Sequence, residues 1–513
     1  LNRKRIIGLL LVIFALLLPA PVPVHSAPAP QQTLLLYDSL AKGTPRDGNI
    51  TELQRLLAAY STKVTLLSLD EYKQGTLASY SSVITVINSE DLAITNKAYL
   101  EDVDNYPGKV LHVGYNIPVK MKQTLQLSTA VFHGQYASLS IEEFSGVSLN
   151  VSDMPYIAAS KATHAYGSFS FQGGSLQAPY AVSRGQYTYV PYLEKGNFST
   201  IAMAYVLKDW LPSSAVPQTY LVLKEIYPFS DFELLEKTAD RLYQNGIPFI
   251  ASVRPVFGNT GFPAMERYLE ALRIVQSRNG SIVVNAPAVR PPISLSDRSL
   301  KGKMNGFINV LVAGGIAPLG IGAEGYWTYD KEYAGAGMGF FDSAVLYPDE
   351  EARYMEQTDT SAVFASSLYS VTPEFLLSLR HTGKALPQLP LDTAVVVDLP
   401  EDDEGLESML RTVEQSWISF ADYKQGAHKV VTDTNTIASV DGVIRMGGKA
   451  LNVGYAPEVV DSDYQYQKEQ VKSFTRLFSA QNQFFIVVII ISLLVFGSLL
   501  VVGYRMYRRK YLK

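Results

Sequence analysis

The sequence contains no cysteine. Disulfides, thiolate nucleophiles and cysteine-ligated zinc are therefore excluded, although this absence by itself names no compartment. Histidine is scarce, with six residues in 513. Beyond position 26 the five histidines, His112, His133, His164, His381 and His428, never fall within five residues of one another, so no local histidine metal motif exists. The first α/β region also lacks the glycine-rich phosphate loops of nucleotide-binding proteins and the G-x-S-x-G turn of serine hydrolases. Nor is there an excess of positive charge: 44 basic residues stand against 48 acidic ones.

What is present is a globular composition, 47% hydrophobic and 18% charged, with 32 tyrosines and two long apolar runs at the ends. Arg3, Lys4 and Arg5 precede the first run, 6–18, and Val24, His25 and Ser26 form a small-residue site before Ala27. This is the pattern of a secretory signal over 1–26. The second run, 484–503, carries no charge and is long enough to cross about 30 Å of hydrocarbon. Arg505, Arg508, Arg509, Lys510 and Lys513 follow it, which places the tail 504–513 in the cytoplasm. The expectation is a single-pass cell-membrane protein with an extracytoplasmic ectodomain. Eight of the 44 basic residues lie in these two ends, leaving 36 against 48 acidic residues between them. That net of −12 argues against a nucleic-acid partner.

Between the ends the length calls for more than one domain. Short apolar runs at 33–38, 64–69, 80–87 and 109–113 alternate with helical patterns at 50–60, where Asn49 is a plausible cap, and 95–105. This predicts a doubly wound parallel sheet. Residues 131–192 are rich in glycine and alternate small with aromatic residues, which reads as meandering strands. The helix 198–210 closes an accessory domain of 33–210, and the proline-containing stretch 211–219 reads as a linker. From 220 to 425 strand and helix patterns alternate again, with β/α material at 307–312, 316–321, 344–347 and 361–367, as a (β/α) barrel requires. Residues 427–483 follow as a small β segment and a juxtamembrane helix.

Loops at strand ends carry the chemistry in such barrels. Here they offer Lys224 and Glu225, then Arg254, then Asn285, and later Glu324 in GIGAEGYW. The strand, acidic residue, x-P, helix and GIPFIASVRPVF run resembles the NodB-type polysaccharide deacetylase superfamily over about 220–425. It is most similar to a deacetylase-like branch with an N-terminal accessory domain and a C-terminal membrane helix. The accessory domain resembles flavodoxin-like or amidotransferase-like domains, without the cysteine an amidotransferase needs. Active members carry an Asp-Asp pair after the first strand, one a base and one a metal ligand, and two histidines after the third. The resemblance places that pair on Lys224 and Glu225, and the histidines on Asn285 and Val289.

Those substitutions leave at best one ligand, so no metal and no other cofactor is expected. The leading expectation is a degenerate deacetylase-like protein that binds a glycan or a partner in polysaccharide export or modification, with Lys224, Glu225, Arg254, Asn285 and Glu324 as its binding residues. Two alternatives stay open. One is an active carbohydrate hydrolase with relocated groups, using Glu225 and Glu324 as a carboxylate pair. The other is a scaffold with a closed cleft.

Overall fold

The computed structural model describes residues 32–91, 93–171, 174–211, 216–287, 299–349, 358–379, 386–416, 418–454 and most of 486–505. The expected signal segment, Val289, His381, residues 212–215 of the linker, the juxtamembrane helix and the tail beyond Arg505 lie outside these residues.

The first half is one mixed sheet. Strands β1 (Gln32–Tyr37), β2 (Lys63–Ser68), β3 (Ser82–Ile87) and β4 (Lys109–Gly114) run parallel in the order β2-β1-β3-β4. Helices α1 (Asn49–Ala59), α2 (Lys97–Asn105) and α3 (Val119–Leu125) connect or follow them. Successive side chains of a strand point to opposite faces, and here both faces are covered: Leu34 and Leu36 pack with Tyr99 and Val103, while Leu35 packs with Leu53 and Leu57. This double coverage explains why β1 reads as a continuous apolar run.

The glycine-rich region does not form a separate layer. Strands β5 (Ser128–Phe132) and β8 (Met154–Ala159) pair off as a small ribbon, but β6 (Tyr136–Ile141), β7 (Phe144–Asn150), β9 (His164–Phe171), β10 (Leu176–Arg184) and β11 (Tyr187–Val190) extend the same sheet. The parallel part ends at β11, and β10 onward is antiparallel. Its tyrosines mostly pack the core: Tyr180, Tyr187, Tyr189 and Tyr192 are buried. Helix α4 (Ser199–Trp210) closes this half.

The second half is a closed barrel of seven parallel strands. They are β12 (Thr219–Ile226), β13 (Phe249–Val253), β14 (Gly280–Asn285), β15 (Pro318–Glu324), β16 (Ser343–Tyr347), β17 (Ser366–Val371) and β18 (Thr393–Asp398). Pairing of β12 with β18, Leu221 opposite Val395, closes it. The barrel thus has one strand fewer than the common eight. The expected β/α material at 307–312 belongs to a helix, α7 (Ser299–Ala313), which follows α5 (Phe232–Gln244) and α6 (Pro263–Ser277). Helices α8 (Pro373–Ser378) and α9 (Asp403–Gln415) complete the set. The acidic run before α9 acts as a helix N-terminus: Asp402 accepts from the Gly405 N–H at 2.8 Å, as expected near the positive end of a helix. A four-stranded antiparallel sheet, β19 to β22 (His428–Val431, Thr436–Val440, Val443–Met446, Lys449–Ala450), follows the barrel.

The two halves are locked together through α1. Arg55, 5% exposed, donates from Nη1 to both Glu52 oxygens at 3.2 and 3.0 Å. From Nη2 it reaches the Ser370 carbonyl at 3.0 Å, the Ser370 hydroxyl at 3.1 Å and the Leu346 carbonyl at 3.4 Å. The Tyr369 hydroxyl donates to Glu52 from the barrel side. Burial alone would depress the guanidinium pKa, but Glu52, Tyr369 and Asp349 reverse that and raise it. A buried charge is tolerated only when paired in this way. Asn49 is not the cap of α1. Gly48 holds that place in a left-handed conformation (φ 79°), and the Asn49 amide donates instead to Asn88 Oδ1 at 2.7 Å.

Residues up to Ala456 form one compact unit, and Pro457–Lys513 are a second. Among the described residues of the second, a helix over Val488–Arg505 has a mean hydropathy of 2.2 and is long and apolar enough to cross a membrane.

Candidate functional site

The barrel places the sequence-predicted residues at one end, where the parallel strands finish. Strand β12 does not finish straight. Its register against β13 shifts between Leu223 and Ile226, and Glu225 takes a left-handed backbone (φ 61°). For a residue with a Cβ this costs about 1 kcal/mol or more. Such a bulge re-aims a side chain at a strand end and is common beside functional sites. Here it turns Glu225 toward Arg254.

Arg254, at the end of β13, donates from Nη2 to Glu225 Oε1 at 2.9 Å and from Nη1 to the Ala286 carbonyl at 2.8 Å. Its own N–H donates to the Ile226 carbonyl at 2.9 Å, so one residue ties three strand ends together. Lys224 Nζ lies 3.6 Å from the same Glu225 oxygen, and the Tyr227 hydroxyl donates to Glu225. Burial pushes the Glu225 carboxyl up, but Tyr227, Arg254 and Lys224 outweigh it and hold the group below the usual carboxylate range. Glu225 is therefore ionised at neutral pH, with both carboxylate oxygens already in contact with donors. The cluster is part-buried: the Lys224, Glu225 and Arg254 side chains are 15%, 27% and 19% exposed.

Beneath it the barrel is filled. Tyr347 from β16 is buried, and its hydroxyl donates to Ser252 Oγ of β13 at 2.8 Å. Lys224 Nζ rests 5.0 Å from the centre of the Tyr347 ring. Burial raises the Tyr347 pKa, so this hydroxyl stays protonated. Asn285, at the end of β14, is 3% exposed, and its side-chain NH2 has no hydrogen-bond partner among the described residues. A buried donor left unmade costs about 1–3 kcal/mol, and this nitrogen is closed to solvent. The rim is aromatic. Phe229, 79% exposed, stacks on Tyr227 at 4.9 Å, and Phe257 and Phe262 are exposed in the loop after β13.

Glu324 ends β15 at the same end of the barrel, in register with Tyr347. Strands β13 and β14 separate it in the barrel wall from β12, which carries Glu225. Arg254 thus ties Glu225, Lys224 and the Ala286 carbonyl beside Asn285 together, and Glu324 stands at the same end of the barrel with β13 and β14 between the two glutamates. Tyr227, Phe229, Ser252 and Tyr347 join the site without having been singled out from sequence. Tyr227 and Phe229 could have been found, because they follow Lys224 and Glu225 directly. Ser252 and Tyr347 are ordinary buried strand residues by pattern.

The donors do not fit a divalent metal. Lys224 brings an ammonium, Asn285 a neutral amide, and the Glu225 carboxylate is already paired with two cations. A cation would have to displace Arg254 and sit beside Lys224. The described histidines are elsewhere: His112 and His428 are buried in other strands, His133 pairs with Asp153 at the surface, and His164 is exposed at the start of β9. Among the described residues no group of three histidines or carboxylates could hold a metal ion.

With this geometry in view, the chain is similar to two solved structures. One is Agd3, a carbohydrate deacetylase, at 10% identity and a TM-score of 0.32, covering 81% of this chain and 91% of that one. The other is the Bc1960 peptidoglycan N-acetylglucosamine deacetylase, solved with a naphthalenyl N-hydroxybenzamide, at 10% identity and a TM-score of 0.25, covering 40% of this chain and 85% of that one. No family model matches the sequence, and no curated protein matches it.

Proposed function

We propose that this protein is a membrane-anchored, extracytoplasmic carbohydrate-binding protein whose deacetylase-like barrel binds a glycan without deacetylating it. The observation that carries the reading is the commitment of Glu225. Metal-assisted deacetylation needs a carboxylate free to accept a proton from a metal-bound water. Glu225 instead neutralises Arg254 and Lys224 and accepts from Tyr227. A glycan is favoured as ligand because the rim offers exposed aromatic faces, Phe229, Phe257 and Phe262, above polar groups able to take hydroxyls. Aromatic faces pack against the C–H side of a sugar ring while Lys224 and Arg254 meet its oxygens. The apolar helix at Val488–Arg505 would hold the ectodomain at the membrane surface, with the basic tail inside. A role beside polysaccharide export or modification machinery is part of this proposal.

The test is direct. The full chain, reconstituted in lipid nanodiscs, is assayed for acetate release from acetylated oligosaccharides with and without added zinc, cobalt or nickel, and for oligosaccharide binding by calorimetry. The expected result is binding that weakens in Arg254→Ala and Phe229→Ala, with no metal-stimulated acetate release. Metal-dependent release that disappears in Glu225→Ala would overturn the proposal.

A further inference from the structure

A second site is built where the two halves of the ectodomain meet. In doubly wound sheets and in parallel barrels alike, ligands bind at the carboxyl ends of the strands. The switch point of the first sheet, between β1 and β3, is closed by its own network: Asp38 accepts from the N–H groups of Ser39, Asn88 and Ser89 at 2.7, 2.9 and 3.0 Å. Beside it, however, the end of β1 and the first turns of α1 face the ends of β15 and β16 across a cleft of about 400 Å³. That volume falls within the range of small-ligand sites, about 300–1,000 Å³.

The cleft is made by particular residues. Gly325 has no Cβ, and one added there would lie 3.2 Å from Arg55 Cγ and 3.4 Å from Asp349 Oδ1. Its bareness lets a guanidinium stem from α1 and a carboxylate from the barrel meet. Asp349 accepts from the Tyr326 N–H at 3.0 Å. Arg55 also lines the cleft, and its Nε, in a side chain only 5% exposed, has no hydrogen-bond partner among the described residues.

The lining selects the ligand class. Lys42 stands against Asp47, Arg55 is neutralised by Glu52, and the remaining carboxylate, Asp349, lies in the field of Arg55 and Lys195, so charges of both signs line the cleft and neither sign dominates it. Gln54 and Thr51 can donate and accept, Asp349 accepts, and Tyr37 and Tyr326 add aromatic surface. Hydroxyl-rich, uncharged rings match that mixture. We propose that this cleft is a binding site for a neutral mono- or disaccharide, separate from the barrel-mouth cluster. It shares with the proposed function the carbohydrate class of ligand, but it uses different residues.

Hydrogen exchange of the full chain in nanodiscs, which avoid sugar detergents, tests this with cellobiose and N,N′-diacetylchitobiose as probes and glucuronic acid and glucosamine as charged controls. The expected result is slowed exchange at 49–52 and 325–329, with affinity falling at least about tenfold in Thr51→Trp and in Gln54→Ala, the scale of one or two lost hydrogen bonds. Thr51→Trp fills the cleft, and Gln54→Ala removes one amide with little risk to folding. Protection confined to 224–226 and 254 would overturn the cleft and leave the barrel-mouth reading standing. No protection at either place would count against both. Equal binding of a charged control would overturn the assignment of a neutral ligand.

Discussion

Replacing Arg55 by methionine tests what holds the sheet half and the barrel half together. Methionine fills a similar volume but removes the charge and five hydrogen bonds, two to Glu52 and three to the β16–β17 edge. The Glu52 carboxylate, 2% exposed, would keep only the Tyr369 hydroxyl among these partners. Removing one member of a buried pair typically costs about 3–5 kcal/mol. Removing both members restores part of that loss, because no uncompensated charge remains. In the double variant Glu52→Gln with Arg55→Met, the main deficit is the Ser370 carbonyl, which loses its guanidinium donor, so a residual cost of about 1–3 kcal/mol is expected. Leu346 is less affected, since its carbonyl also accepts from Ser370 Oγ at 2.7 Å. Denaturant unfolding followed by tryptophan fluorescence reads both halves, through Trp210 in α4 and Trp327 beside the cleft, both buried. The reasoning fails if the single variant stays within about 1 kcal/mol of the parent, or if the double variant is no more stable than the single.

Three further outcomes are expected. Glu225→Gly should be less destabilising than Glu225→Ala by about 1 kcal/mol, because both lose the ion pairs but only glycine relaxes the left-handed backbone; equal stabilities in denaturant titrations would refute the strain. His112 is fully buried, and burial lowers its pKa from 6.5 to about 4. Its folded pKa is depressed, so its contribution is complete above pH 6.5 and is lost as pH falls toward 4, amounting to about 3 kcal/mol at 1.36 kcal/mol per unit; His112→Gln should flatten the pH dependence of stability across that window. Gly325→Ala should cost about 1–3 kcal/mol by overpacking Arg55 and Asp349, and unchanged thermal stability would show that the two side chains can yield.

The alternation of apolar runs with helical spacing was enough to fix a parallel sheet followed by a β/α barrel, because both faces of such strands are covered and the pattern is strong. It did not separate strand from helix at 307–312, read only as β/α material, where FINVLV continues α7; a short apolar run has no period that separates strand from buried helix. The cap of α1 was also misassigned, since Asn49 finds a better partner in Asn88 than in its own helix. The barrel-mouth residues Lys224, Glu225, Arg254 and Asn285 were legible because they stand at strand ends beside turn-forming residues.

Their relation to one another was not legible. Whether Glu225 is free or held depends on a bulge that turns it toward Arg254, and no local sequence signal encodes that bulge. The sequence by itself determined the absence of thiol chemistry and of any local histidine motif, the apolar run near the C-terminus and the alternation of strands and helices along the chain. Tertiary structure alone decided that Glu225 is neutralised, that Tyr347 fills the space beneath it, and that Arg55 and Asp349, 294 positions apart in number, line one cleft. The physical reason is the same throughout. Periodicity reports which face of an element is buried, while charge pairing and cavities depend on elements distant in the chain, which only the closed fold brings within reach.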